Sequence, residues 1–169
     1  KTKFFRYMFT WTLGGAWVFI TMAAGLAAIT AVTQVALDVF FYAGVALWIL
    51  GFGIEVVADR QKSLFRKNPD NKEKFITEGL WSVSRHPNYF GEIILWIGIT
   101  VIALPTLIGW QYVTLISPIF VALLLIKISG VKLLEESGLK RWGDNPNYVE
   151  YVANTPTLVP FLGKTTGAK

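Results

Sequence analysis

Three stretches of this chain carry no charged residue: Tyr7 to Leu37 (31 positions), Val39 to Ile54 (16) and Ile93 to Ile126 (34). A helix that crosses a bilayer needs about 20 mostly apolar residues. In hydrocarbon the backbone must satisfy its own hydrogen bonds, which leaves helices or a closed barrel. Runs this long are far beyond the reach of barrel strands. The first run predicts a span over about 9–33, closed by a short polar turn near Gln34. The second predicts a span over about 38–58 with Asp38 as its N-cap. The third is too long for one helix and is split by Pro105 and the Leu-Ile-Gly-Trp stretch ending at Trp110. It yields spans at about 88–104 and 110–133. The fold class is therefore all-α, a polytopic integral membrane protein of four spans with a C-terminal interfacial segment. Residues 1–161 read as a single membrane domain with a loop at 59–86, and 162–169 as a flexible tail.

The cations test this count. Lys1, Lys3 and Arg6 precede the first span. Seven more, from Arg60 to Arg85, lie between the second and third spans. The remaining six, from Lys127 to Lys169, lie at or beyond the end of the fourth. The turns near 34–37 and 105–110 hold none. Four spans place every cation on one side, which is the cytosolic side by the positive-inside rule. Both termini and the loop 59–86 are expected there, in an endoplasmic-reticulum, other organellar or bacterial inner membrane alike. The net charge of +5 does not point to nucleic acid, because no soluble basic domain remains once the apolar runs are set aside. The charged fraction of 16% falls well short of the quarter or so usual in soluble domains. The chain has no Cys and one His, so thiolate chemistry and a multi-histidine metal site are excluded. Its first apolar run is too long for a signal core. It opens on Lys1 rather than Met, which leads to the expectation that residues precede it.

Polar groups gather at the span ends. Glu55, Asp59, Lys62 and Arg66 follow at offsets of 4, 7 and 11, one face of a continued helix. They read either as an interfacial ion-pair ladder or as a site for a ligand with hydroxyls or amides at one end and phosphates at the other. The second cluster is Ser84-Arg85-His86-Pro87-Asn88-Tyr89-Phe90-Gly91-Glu92. Pro87 suits the first position of a helix. Asn88 and Glu92 then share a face, with Glu92 a turn inside the apolar run, where an ionisable group is by default a functional hypothesis. Arg85, His86 and the new helix's N–H groups suit a phosphate or carboxylate. The third cluster runs from Leu134-Glu135-Glu136 through Lys140-Arg141-Trp142 to Tyr148 and Tyr151, tyrosines that suit headgroup anchors or a ligand. Glycines within the spans (Gly14, Gly15, Gly25, Gly44, Gly51, Gly53, Gly98) let helices approach closely. Pro118 is expected to kink the fourth span.

Three motifs occur in order: Gly53-Ile54-Glu55-x-x-Ala58-Asp59-x-Gln61-Lys62, Gly79-Leu80-Trp81, and the Ser84–Glu92 nonapeptide. Together they resemble the steroid 5-alpha-reductase superfamily, in its C-terminal region and its uncharacterised membrane-protein branch. Ser129-Gly130, Leu134-Glu135 and Tyr148-x-x-Tyr151 fit that branch. The likeness covers about residues 40–161. It implies an oxidoreductase that uses NADPH to reduce a carbon–carbon double bond in a lipid or sterol. By that resemblance Glu55 and Glu92 are the catalytic candidates. Asp59, Arg66 and Asn88 match cofactor contacts, with Arg85 and His86 beside them. The family has about seven spans, and its carbonyl-polarising donor lies upstream of the matching region.

Two rivals stand beside this. Arg85-His86-Pro87-x-Tyr89-x-Gly91 with Glu135-Glu136 resembles isoprenylcysteine and phospholipid methyltransferases, which implies S-adenosylmethionine. Those enzymes carry an arginine a turn before the Glu-Glu pair, where this chain has Ser129-Gly130-Val131. The other rival is a non-catalytic structural or lipid-binding subunit. The expected partners are membrane lipids, a lipid or sterol substrate and other membrane subunits.

Overall fold

The computed structural model describes residues 2–32, 35–128 and 130–162. The turn at Gln34, the residue Ser129 and the tail beyond 162 lie outside the described residues. Six α-helices follow in order: α1 Thr2–Ile29, α2 Val39–Lys67, α3 Pro87–Ala103, α4 Ile116–Leu123, α5 Val131–Trp142 and α6 Pro146–Asn154. No strand occurs among the described residues. Four stretches are long and apolar enough to cross a membrane: Phe4–Ile29, Val39–Lys67, Pro87–Thr106 and Gly109–Trp142. The chain is an all-helical membrane protein.

The helix boundaries have local causes. The Asp38 carboxylate accepts from Phe41 N at 3.0 Å and caps α2 as expected. α2 runs nine residues past the expected end at 58, because no breaker intervenes until Asn68-Pro69. Asn68 is extended there (φ −76°, ψ 118°), as a residue before proline prefers. Asn71 Nδ2 then donates to the orphan carbonyl of Phe65 at 3.1 Å. α3 begins at Pro87, and Ser84 Oγ accepts from His86 N at 3.2 Å just before it. The fourth apolar run is not one α-helix. Gly109–Leu115 is a 3-10 segment, α4 follows, and Leu124–Ile128 is a π segment. Pro118 therefore sits in the first turn of α4, where its missing N–H has no intrahelical partner to lose. The run in which Pro118 is expected to cause a kink changes helix type on either side of α4.

The described residues group into two compact units. One comprises Lys1–Trp48 with Trp96–Ala122. In it Gly44 and Gly98 face each other, and a Cβ on Gly98 would lie 2.7 Å from Gly44 O and Trp48 N. Ser117 Oγ donates to the Thr21 carbonyl, and Ala24, Ala103, Leu107 and Val121 are buried in this unit. The other unit comprises Ile49–Leu95 with Leu123–Lys169. There Gly91 meets Gly51, and a Cβ on Gly91 would lie 2.6 Å from Gly51 O and 2.7 Å from Glu55 N. Small residues thus bring backbones into contact. Gly14, Gly15 and Gly53, read from sequence the same way, have nothing within 4 Å of such a Cβ among the described residues.

Candidate functional site

All the sequence-predicted site residues fall in the second unit. The segment between α2 and α3 is tied down from both sides. Gln61 Oε1 accepts from Leu80 N at 3.0 Å. Gly79 makes that contact feasible: it takes φ +59°, and a Cβ there would strike the Gln61 amide. Trp81 is buried, with Nε1 donating to Ala58 O at 3.0 Å and the Lys62 ammonium 4.6 Å from its ring centroid. On the other side Arg141 donates to Lys72 O at 2.8 Å and Trp142 Nε1 to Glu73 O at 2.8 Å.

This clamping leaves a cavity of about 220 Å³ between α2, the 74–86 segment, α5 and α6. Its wall carries five cations, Lys62, Arg66, Lys74, Arg85 and Arg141, with Glu135 as its acid. Rings of Phe75, Trp81, Trp142, Tyr148 and Tyr151 complete it. Arg85 and His86 are held by one carboxylate: Glu135 Oε2 lies 3.0 Å from Arg85 Nη1, and Glu135 Oε1 2.7 Å from His86 Nε2. Arg85 also donates to Thr157 Oγ1 at 2.5 Å and Val152 O at 3.3 Å. His86 is 5% exposed and stacks on Tyr89 at 5.7 Å, with its buried Nδ1 lacking a hydrogen-bond partner among the described residues. The tyrosines are not headgroup anchors. Tyr148 is buried against Phe75 and close to Gly138, and Tyr151 Oη donates to Trp81 O at 2.6 Å. Burial raises the pKa of both phenols, so they stay protonated near neutral pH.

The acids form a separate neighbouring group. Asn88 Nδ2 donates to Asp59 Oδ1 at 3.1 Å, which joins α2 to the start of α3. The Glu55 carboxylate interacts electrostatically with both Glu92 and Asp59. Arg66, Arg85 and His86 line the cavity, whereas Glu55, Asp59, Asn88 and Glu92 lie on the facing surfaces of α2 and α3 outside its wall. Sequence reasoning passed over Lys74, Arg141 and Gly138 as site residues. The available signal was spacing: Leu134, Glu135, Gly138, Arg141 and Trp142 recur at intervals of three and four on α5.

These features define a class, a helical membrane protein whose span ends enclose a cation-lined polar cavity. The chain belongs to a family of proteins of unknown function, DUF1295, whose pattern matches residues 1–155. The likeness thus starts well upstream of the residue 40 expected. The resemblance to steroid 5-alpha-reductases holds: the steroid 5-alpha-reductase DET2 of Gossypium hirsutum is 36% identical over 58 residues, 34% of this chain and 22% of that protein. The probable O-methyltransferase ustE of Ustilaginoidea virens is 32% identical over 94 residues, 47% of this chain and 33% of that protein. The matches span a third or less of these relatives' length. No solved structure matches the chain.

Proposed function

We propose that this chain works as an NADPH-dependent membrane reductase of a carbon–carbon double bond in a lipid or sterol, with the cavity taking the phosphate-bearing end of the cofactor. The observation that carries this reading is charge. Five cations surround the cavity against one acid on its wall. NADPH brings three phosphate groups and an aromatic base, and Trp142 on the cavity wall offers an aromatic ring for it. S-adenosylmethionine carries a sulfonium cation and no phosphate. The cavity volume lies below the 300–1,000 Å³ or so of sites that enclose a whole small molecule. The fit is therefore to part of the dinucleotide.

When bound, NADPH supplies the hydride. Lys62 and Arg66 lie one turn apart on α2 and offer phosphate contacts, with Lys74 and Arg141 opposite. Arg85 and His86 are held by Glu135 and shape the wall. Asp59 and Asn88 orient polar groups at the adjacent helix faces, and Glu55 and Glu92 handle the proton that accompanies reduction. In this reading the cavity and both termini face the cytosol, the substrate is a membrane lipid or sterol, and other membrane subunits are partners.

One observation favours a methyltransferase as the second reading. Glu135 binds both Arg85 and His86, so the two motif halves shared with methyltransferases meet in space. Thermal stability of the purified protein in detergent, with excess NADPH, NADH or S-adenosylmethionine, separates the readings. Ligand at about 100 times its dissociation constant adds roughly 2.7 kcal/mol to the folded state. Stabilisation by NADPH that is lost in Lys62→Ala and Arg66→Ala supports the reductase. Stabilisation by S-adenosylmethionine alone replaces it with the methyltransferase. No shift with any of the three favours a non-catalytic subunit.

A further inference from the structure

We infer that the turn Val159–Leu162 dips into the membrane interface, with Phe161 and Leu162 inserted among lipids. The segment after α6 is fixed to the start of α3. Ser84 Oγ donates to Leu158 O at 2.7 Å, Arg85 N to Pro156 O at 2.9 Å, and Arg85 Nη2 to Thr157 Oγ1. This fixes the depth of the segment. The apolar stretch Pro87–Thr106 has 20 residues. At about 1.5 Å per residue it matches the roughly 30 Å of hydrocarbon thickness. Pro87 then lies at the hydrocarbon edge, and Ser84 and Arg85 in the headgroup layer. Phe161 is three residues beyond Leu158, so it lies within about 10 Å of that anchor.

The turn chemistry points outward. Leu162 N donates to Val159 O at 3.2 Å, Pro160 follows Val159, and Phe161 has φ +63°. Proline at the second position and positive φ at the third form the pattern of a type II turn, whose third position favours glycine. A bulky aromatic there is unusual. It is displayed at the tip, with Phe161 84% exposed and Leu162 76% exposed. Two large apolar side chains held at headgroup depth fit the boundary between headgroups and acyl chains, where aromatic and aliphatic anchors insert. The occupant of this surface is therefore lipid. Because the same segment holds Arg85, the cavity wall is anchored to the membrane surface through it.

The absence of cysteine makes the test direct. Phe161→Cys and Leu162→Cys, each labelled with an environment-sensitive NBD fluorophore, are reconstituted in phosphatidylcholine vesicles. Asn147→Cys, on the exposed side of α6, is the aqueous control. Blue-shifted emission from either turn position, quenched by nitroxide on the lipid acyl chain and not by aqueous iodide, is expected. Water-like emission quenched by iodide at both positions overturns the inference. Blue-shifted emission that neither quencher reaches also overturns it, and assigns the surface to another protein chain. Phe161→Gly suits the positive φ and removes the ring. It should keep the fold while lowering the apolar emission shift of a label at position 162.

Discussion

At the residue scale the unit that organises the cavity is Glu135. It holds a guanidinium and an imidazole that are both largely withdrawn from water. Removing its charge leaves Arg85 with only neutral acceptors. Glu135→Gln should therefore lower stability by about 2 kcal/mol, the order expected when a partly buried charged hydrogen bond is lost. Thermal denaturation in detergent reads this, and an unchanged midpoint would remove Glu135 from that role. Gly138 is a second sensitive position, because any Cβ there collides with the Tyr148 hydroxyl. Gly138→Ala must displace that hydroxyl, and both residues line the cavity. On the proposed reading it should weaken NADPH binding at least tenfold, read as a smaller NADPH-induced thermal shift in the variant than in the parent. The phenols give a pH dependence. Burial raises the folded-state pKa of Tyr148 and Tyr151, so the unfolded chain loses its phenolic protons first. Their stabilising contribution is complete below the unfolded value near 10 and is lost as pH rises above it. Tyr151→Phe should flatten the fall in stability above pH 10 while forfeiting about 1 kcal/mol with the bond to Trp81. Melting curves between pH 7 and 11 decide whether it does.

At the element scale the joint between Gly51 and Gly91 matters most for the site. It brings α2 against α3 where Glu55, Asp59, Asn88 and Glu92 lie. A Cβ on Gly51 would meet the backbone of Leu95 and Gly91, which cannot move aside as a flexible side chain would. Gly51→Val should cost about 1–3 kcal/mol through overpacking. It should also part Asn88 from Asp59, and a distance probe between labels on α2 and α3 would register the separation. The elements also explain how far the sequence could be read. Proline at the first position of α3 and aspartate before α2 act through their own backbone neighbours, so both helix starts were legible. Charges at Asp59, Arg60 and Lys62 mark a change of solvent and not of backbone conformation, so the expected end of the span at 58 does not end the helix. A helix continues through the change until Asn68-Pro69 stops it. The 3-10 start of the fourth apolar run was not read from sequence, because it has no local signature.

At the scale of the whole molecule the proposed topology makes a prediction free of any cofactor. If all cations face the cytosol, a cysteine at Trp110 should react with an impermeant reagent from the opposite side of the membrane. A cysteine at Asn147 should react from the cytosolic side only. Labelling both from one side would refute the single span expected between the two positions. The same scale explains which parts of the candidate site were readable. Arg66, Arg85 and His86 announced themselves through charge beside apolar runs and through motif, and they do line the cavity. Their separation from the Glu55, Asp59, Asn88 and Glu92 group was hidden. Motif order along the chain does not say on which side of a helix pair two faces meet.

By itself the sequence determined what depends on solvent and on near neighbours. Long uncharged runs must span a bilayer, because water cannot satisfy a backbone there. The distribution of cations leads to an expected orientation of those spans, and proline and aspartate start the helices. Only the tertiary structure decided what depends on distant residues packing together. It set Glu135 against Arg85 and His86, 50 and 49 positions apart in the chain. It buried Tyr148 where an interfacial anchor was the simpler expectation, and it fixed the C-terminal turn to Ser84. Those contacts come from side-chain shape and hydrogen-bond satisfaction across the fold, which no local periodicity encodes.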